Sequence, residues 1–335
     1  MFKWCRLAGI VGIAILSVGS KTTQAEECGE VTIASMNWAS AEIIAEVDKL
    51  MLSAAYGCDV QLVTGDTFSI FTSMTDAGTP DILPELWLNT IDEQLTMAIS
   101  DGKLTKAAEV LSDGGEEGWW IPRYIADEYP EIKTVEDALA RPDLFSSSTD
   151  DGTGAVHNCP ANWNCQISTA NLFRAHGAAE KGFTLVDTGS AAGLDASIVS
   201  AYKDGAGWLG YYWAPTPLLG RFDMVRLDTE PHDASTWESC IVVRDCANPQ
   251  VNGWSDSPVY SIVTSSFAAR MDGLADYVNR RQWSNQTINA LLAWMSEKQA
   301  TGDEVARHFL ENYEGIWSNW IPVELKFKVA NGLLK

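Results

Sequence analysis

Between Val31 and Val63 the chain reads as a strand, a helix and a second strand, and this is the feature that most restricts its fold. Val31-Thr32-Ile33-Ala34-Ser35 has the composition of a buried strand. From Ser40 onward Ile43, Ile44, Val47, Leu50 and Met51 recur at helical spacing until Gly57 interrupts them. Residues 59–63 form the next strand. Strand, helix and strand at these lengths make a βαβ unit on a parallel sheet, which places the chain in the α/β class.

The pattern repeats further on. Thr134 with Asp137 has the spacing of a capping box, residues 168–176 predict a helix closed by Gly177, and 183–186 predict a strand. A helix over 191–202, a strand over 208–212 and a mostly helical stretch from Gly273 onward follow. At 335 residues the chain exceeds what one core usually serves, so two domains are expected.

The N-terminus has the form of a secretory signal. Lys3 and Arg6 precede an apolar run from Leu7 to Val18, and Thr23-Gln24-Ala25 offers small residues for cleavage, so residues 1–25 are expected to be removed. The alternative is a retained anchor, but Gly9, Gly12 and Ser17 interrupt a run short of the roughly 20 apolar residues of a membrane span.

Six of the seven cysteines lie beyond that segment, an even set that suits disulfides in an oxidising compartment. Cys159 with Cys165 and Cys240 with Cys246 each pinch a short loop, which leaves Cys28 for Cys58; other connectivities are open at this point. A zinc site is disfavoured because no CxxC or HxxxH spacing accompanies them. The formal charge of −22, with no basic cluster, argues against a nucleic-acid partner.

Fourteen tryptophans dominate the composition, and several stand where a strand runs into a loop. Trp38 follows the first strand, Trp87 ends the segment 80–86, Trp119 and Trp120 lie in Gly118-Trp-Trp-Ile-Pro-Arg-Tyr124, and Trp213 closes Gly210-Tyr-Tyr-Trp-Ala-Pro215. In open α/β sheets the carboxyl edge of the strands is where ligands bind. Core packing explains any single tryptophan, yet strands elsewhere in this chain use Val, Ile and Leu for that purpose. We therefore read Trp38, Trp87, Trp213 and one of Trp119 or Trp120 as binding residues. Trp163, Trp237, Trp254, Trp283, Trp294, Trp317 and Trp320 are read as packing. A cage of indole faces prefers a cation that needs no hydrogen bonds, a methylated ammonium group, at about 0.5–2 kcal/mol per face.

These segments, with Met36-Asn-Trp-Ala-Ser-Ala-Glu42, Pro84-Glu-Leu-Trp-Leu88, Tyr211-Tyr-Trp-Ala-Pro-Thr216 and the stretch 309–322, resemble the periplasmic substrate-binding proteins of ABC importers for glycine betaine, choline and related osmolytes. Within that family the likeness is greatest to the trimethylamine N-oxide binders of marine bacteria. The resemblance implies a two-lobed periplasmic binding protein of type II, its lobes joined by a two-stranded hinge, with residues 26–117 and 223–335 in one lobe and 118–222 in the other. It also implies a monomeric, periplasmic, non-enzymatic protein that hands its ligand to a membrane permease and needs no cofactor. The cage would take Trp38 and Trp87 from the first lobe and Trp119 and Trp213 from the second.

The candidates for the polar end of the ligand are Asn37, Glu42, Glu85 and Glu131, and the resemblance favours Glu131. Arg123 is the nearest basic residue to the cage tryptophans, which disfavours a carboxylate ligand. An ionised carboxylate cannot donate to an N-oxide oxygen, so such a glutamate would be protonated or act through water. Asp150 and Asp151, with Thr153, form an oxygen-rich loop of the kind Ca²⁺ uses, although the EF-hand pattern is absent. The rival functions find little support. There is no GxSxG or HExxH, and His157, His176, His232 and His308 pair with no nearby nucleophile. A sugar site would need many Asp, Asn and Arg side chains around the ring.

Overall fold

The computed structural model describes residues 1, 28–146, 152–270 and 272–332. The expected signal segment, beyond Met1, and the candidate calcium ligands Asp150 and Asp151 lie outside the described residues. Among the described residues no helix is long and apolar enough to cross a membrane, and no group of three or more His, Cys, Asp or Glu could hold a metal ion.

The chain builds two five-stranded mixed sheets. The first takes β1 (Glu30–Met36), β2 (Asp59–Gly65), β3 (Ile82–Trp87), β4 (Leu104–Glu109) and, from far along the chain, β10 (Val259–Thr264). Its order is β2-β1-β3-β10-β4, with β1 parallel to β2 and β3, and β10 antiparallel to β3 and β4. The second takes β5 (Glu116–Pro122), β6 (Gly154–His157), β7 (Phe183–Val186), β8 (Gly210–Ala214) and β9 (Met224–Arg226) in the order β7-β6-β8-β5-β9. Here β6 runs parallel to β7 and β8, and β5 antiparallel to β8 and β9.

Helices join successive strands. They are α1 (Ala39–Met51), α2 (Thr67–Ala77), α3 (Asp92–Ser100), α4 (Arg123–Glu128), α5 (Val135–Leu139), α6 (Cys165–Ala175) and α7 (Ala191–Asp204), with further helices to the C-terminus. α1 buries Ile43, Ile44, Val47 and Met51, as its spacing predicts, while Leu50 is half-buried and Ser40, Ala41, Ala45 and Asp48 are buried as well; the helical path ends at Gly57 in the left-handed conformation (φ 75°). The Thr134 capping box forms in both directions: Asp137 N–H donates to Thr134 Oγ1 at 3.1 Å and Thr134 N–H to Asp137 Oδ2 at 2.9 Å.

The chain passes between the sheets twice, through 110–115 and through 227–258. The two passages meet where Gly115 and Ser257 exchange backbone hydrogen bonds of 2.8 Å, the two-stranded hinge. The second sheet draws on residues 116–226, so β9 lies just past the boundary expected at 222. The returning passage 227–258 also leans on the second sheet's helices, since Asn171 Nδ2 of α6 donates to the carbonyls of Cys240, Ile241 and Val243 at 3.1, 2.8 and 2.9 Å. The disulfides are Cys28–Cys58, Cys159–Cys165 and Cys240–Cys246, the pairs expected from spacing.

Candidate functional site

The carboxyl ends of both sets of parallel strands face each other, and the aromatic residues found there enclose a cavity of about 310 Å³, counting its opening. From the first sheet's side come Trp38, at the turn from β1 into α1, and Trp87, the last residue of β3. From the second come Trp163, in the loop before α6, and Tyr211 and Trp213 on β8. Trp163 stands nearly perpendicular to both Trp38 (68°) and Trp213 (75°), each with ring centroids 5.0 Å apart, the edge-to-face geometry that ring quadrupoles favour.

One carboxyl enters this aromatic box. Glu117, 3 % exposed on β5, accepts a hydrogen bond from Tyr211 Oη at 2.7 Å and one from Asn89 Nδ2 at 2.7 Å. Burial holds its pKa above the ordinary carboxylate range, against the opposing effect of those two donors. Thr67, Asn164 and Cys165 complete the rim, and the lining contains no Lys or Arg among the described residues.

A second carboxyl lies behind the walls. Glu85, fully buried on β3, uses a single oxygen, Oε1, to accept from Trp38 Nε1 (2.8 Å), Trp87 Nε1 (2.8 Å) and Ser40 Oγ (3.0 Å). Its pKa too is raised by burial, while the indole and hydroxyl donors pull it down and the positive field of Arg281 helps. Besides the bond from Asn89 to Glu117, hydrogen bonds span the cleft from Trp163 Nε1 to Asn37 Oδ1 at 2.7 Å and from Asn164 Nδ2 to the Trp87 carbonyl at 2.9 Å.

Of the residues singled out in the sequence, the cavity gathers Trp38, Trp87 and Trp213. Trp119 does not line it. On β5 Glu117 and Trp119 share a face, opposite Trp213 and Tyr211 of β8, and the cavity covers only the Glu117 end of that row. Trp119 is fully buried against His176 and Trp254 instead. Trp120 points to the other face and donates to the Tyr212 carbonyl at 3.0 Å. Glu131 is solvent-exposed and absent from the lining, Asn37 bonds Trp163 from outside the cavity, and Glu42 accepts from Gly302 N–H at 3.0 Å.

Sequence reasoning passed over Trp163 and Glu117. Trp163 follows no strand and sits in a polar loop; its one local signal is the cysteine pair that brackets it. Glu117 is an acidic residue inside a strand pattern, next to the tryptophans that drew attention.

The sequence matches the family described as the substrate-binding domain of ABC-type glycine betaine transport systems over residues 29–312. It is 21 % identical over 322 residues to the trimethylamine N-oxide-binding protein of Pelagibacter ubique (strain HTCC1062), covering 95 % of this chain and 99 % of that one. The fold superposes with a TM-score of 0.71 on an ABC-transporter choline-binding protein in complex with choline (17 % identity, 92 % of this chain, 99 % of that one). It superposes with a TM-score of 0.70 on the glycine betaine/L-proline-binding protein of Borrelia burgdorferi (19 % identity, 90 % and 99 %). Two facing mixed sheets, a paired hinge and an aromatic cavity in the cleft agree with this match: the chain belongs to the substrate-binding domains of ABC-type glycine betaine transport systems, the solute-capturing component of an importer.

Proposed function

We propose that the chain captures trimethylamine N-oxide in the cleft cavity, outside the cytoplasm after removal of its leader, and delivers it as a monomer to the permease of its importer. The observation that carries this reading is Glu117, a buried carboxyl of raised pKa inside a box of indole and phenol rings. Methyl groups bearing partial positive charge suit the aromatic faces. Several faces at about 0.5–2 kcal/mol each supply much of the roughly 8 kcal/mol that micromolar binding needs. The N-oxide oxygen is a strong acceptor, and a protonated Glu117 supplies the donor it wants. The complex then contains one proton shared between two oxygens. The likeness to a trimethylamine N-oxide-binding protein along nearly the whole chain supports the same ligand.

Glycine betaine fits this cavity less well, because its two carboxylate oxygens would meet the single proton of Glu117 and no Lys or Arg in the lining. Choline is the second reading, favoured by the same Glu117 in its ionised form as counter-charge to a full cation.

Titration calorimetry across pH separates the two. For trimethylamine N-oxide the affinity falls as pH rises through the Glu117 pKa, because the donor proton is lost and must be taken up again on binding. For choline the affinity rises over the same interval. Glu117→Gln, which keeps a donor and loses the charge, retains trimethylamine N-oxide binding and flattens its pH dependence, while weakening choline. Choline binding that strengthens with pH, with trimethylamine N-oxide bound weakly throughout, would replace the first reading with the second.

A further inference from the structure

Beside the cleft cavity lies a second pocket of nearly the same size, about 320 Å³ counting its opening. It shares Trp38 and Trp213 with the cleft cavity but is lined by neither Glu117 nor Trp163. Alternation along β8 divides the neighbours: Tyr211 lines the cleft cavity, whereas Tyr212, on the opposite face of the strand, lines the second pocket. Asp195 of α7 enters from the second sheet's half, and Ser40 of α1 and Thr216 add hydroxyl groups. Trp38, Ala39, Ala191 and Asp195 also line a wide groove open to solvent, so the pocket has an entrance of its own.

Asp195 is only half satisfied. Its Oδ1 accepts from Tyr212 Oη at 2.7 Å, and its other oxygen has no partner among the described residues. No Lys or Arg lines the pocket, and burial pushes the carboxyl above the usual carboxylate range with the Tyr212 bond opposing. In the groove outside, Glu42 and Glu46 accompany a single basic residue, Lys49, which Glu46 already holds at 2.8 Å. The surroundings are therefore negative at the entrance and at the wall.

We propose that this pocket is a second binding site, for a small protonated or quaternary amine, with Asp195 as its counter-charge. Indole and phenol rings take the methyl groups of an ammonium, and the free carboxylate oxygen takes its charge and any N–H it carries. The preference differs from that of the cleft cavity. There Glu117 has both oxygens engaged, by Tyr211 and by Asn89. Asp195 keeps one oxygen free, so it selects a full cation with a donor and refuses an N-oxide, whose oxygen would meet a carboxylate. The site does not depend on which ligand fills the cleft.

The test is an NMR titration with trimethylammonium chloride at pH 7, following backbone amides. Saturable shifts are expected at Ala191, Asp195 and Thr216, none of which lines the cleft cavity. Asp195→Asn keeps an acceptor for Tyr212 and removes the charge. It is expected to weaken that titration at least tenfold, while the amides of Glu117 and Trp163, which report the cleft cavity, respond as in wild type. Shifts confined to the cleft residues, shifts at Ala191 and Thr216 that survive Asp195→Asn, or shifts that sodium chloride reproduces at equal concentration overturn the proposal. A second probe needs no variant: tert-butanol, an uncharged molecule of similar shape, is expected to leave the three amides unmoved. Equal shifts with tert-butanol would show a merely apolar crevice and overturn Asp195 as the counter-charge.

Discussion

Single residues set the chemistry of this cleft, and the contrast between Trp163 and Trp119 shows how. Both are large, buried indoles, but only Trp163 contributes to the cavity wall. Trp163→Ala is expected to cost at least tenfold in affinity for the methylated amine, since one desolvated face is worth about 0.5–2 kcal/mol and its removal also floods the box with water. Trp119→Phe is expected to leave affinity near wild type and to cost stability instead. Calorimetry and thermal unfolding of the two variants check this split. At the same scale Glu117, raised in pKa by burial, carries a stability consequence. A carboxyl that binds its proton more tightly folded than unfolded favours folding at low pH, and that contribution disappears as pH rises through its folded pKa.

At the scale of elements, the hinge and the short loops decide whether the walls stand where they must. Gly115 lies at the hinge contact with Ser257, and a Cβ placed on it would come within 2.0 Å of Trp87 Cζ3 and 2.2 Å of Cη2. The absent side chain lets the Trp87 ring rest on the hinge backbone. Gly115→Ala is therefore expected to displace that ring and weaken ligand binding more than tenfold, with little loss of secondary structure by circular dichroism. The Cys159–Cys165 disulfide closes the loop that presents Trp163 and Asn164. Cys159→Ser/Cys165→Ser is expected to lower affinity, because the loop must then be ordered on binding, at about 0.5–1.5 kcal/mol per immobilised side chain. The measurement is affinity of the double variant against wild type, and an unchanged value would remove the loop from the account.

The whole molecule rests on polar groups deep in the first sheet's half. Arg281 and Asp48 are fully buried and 2.7 Å apart, and the same Asp48 oxygen accepts from Tyr277 Oη at 2.7 Å, while Arg281 Nη2 donates to Ser261 Oγ at 2.8 Å. Burial outweighs the guanidinium and lifts Asp48 from 3.8 to about 6. Folding therefore gains from Asp48 below its unfolded pKa and loses that gain as pH rises past about 6. Above that pH the pair is ionised, and Asp48→Asn leaves Arg281 without a counter-charge. Denaturant unfolding at pH 8 is expected to show a loss of about 3 kcal/mol or more, with a smaller difference from wild type at pH 5, where Asp48 itself is protonated.

Features that repeat locally were readable along the chain alone. The apolar spacing of α1, the Gly57 and Gly177 stops, the Thr134 capping box and the strands at 59–63 and 183–186 follow from short-range sterics and hydrogen bonding, so the α/β class was legible. So were Trp38, Trp87 and Trp213, because a tryptophan at a strand's carboxyl end is marked by its own neighbours. The remainder depended on packing between distant segments. Which residue of the Glu117–Trp119 row meets the cavity depends on the register of β5 against β8 and on where the second sheet stops, neither of which is encoded within a few residues. Trp163 gains its meaning from Asn37, 126 positions away, across a cleft that exists only once two separately folded sheets face each other. Local pattern reports which face a side chain takes; only packing between distant segments reports what that face meets.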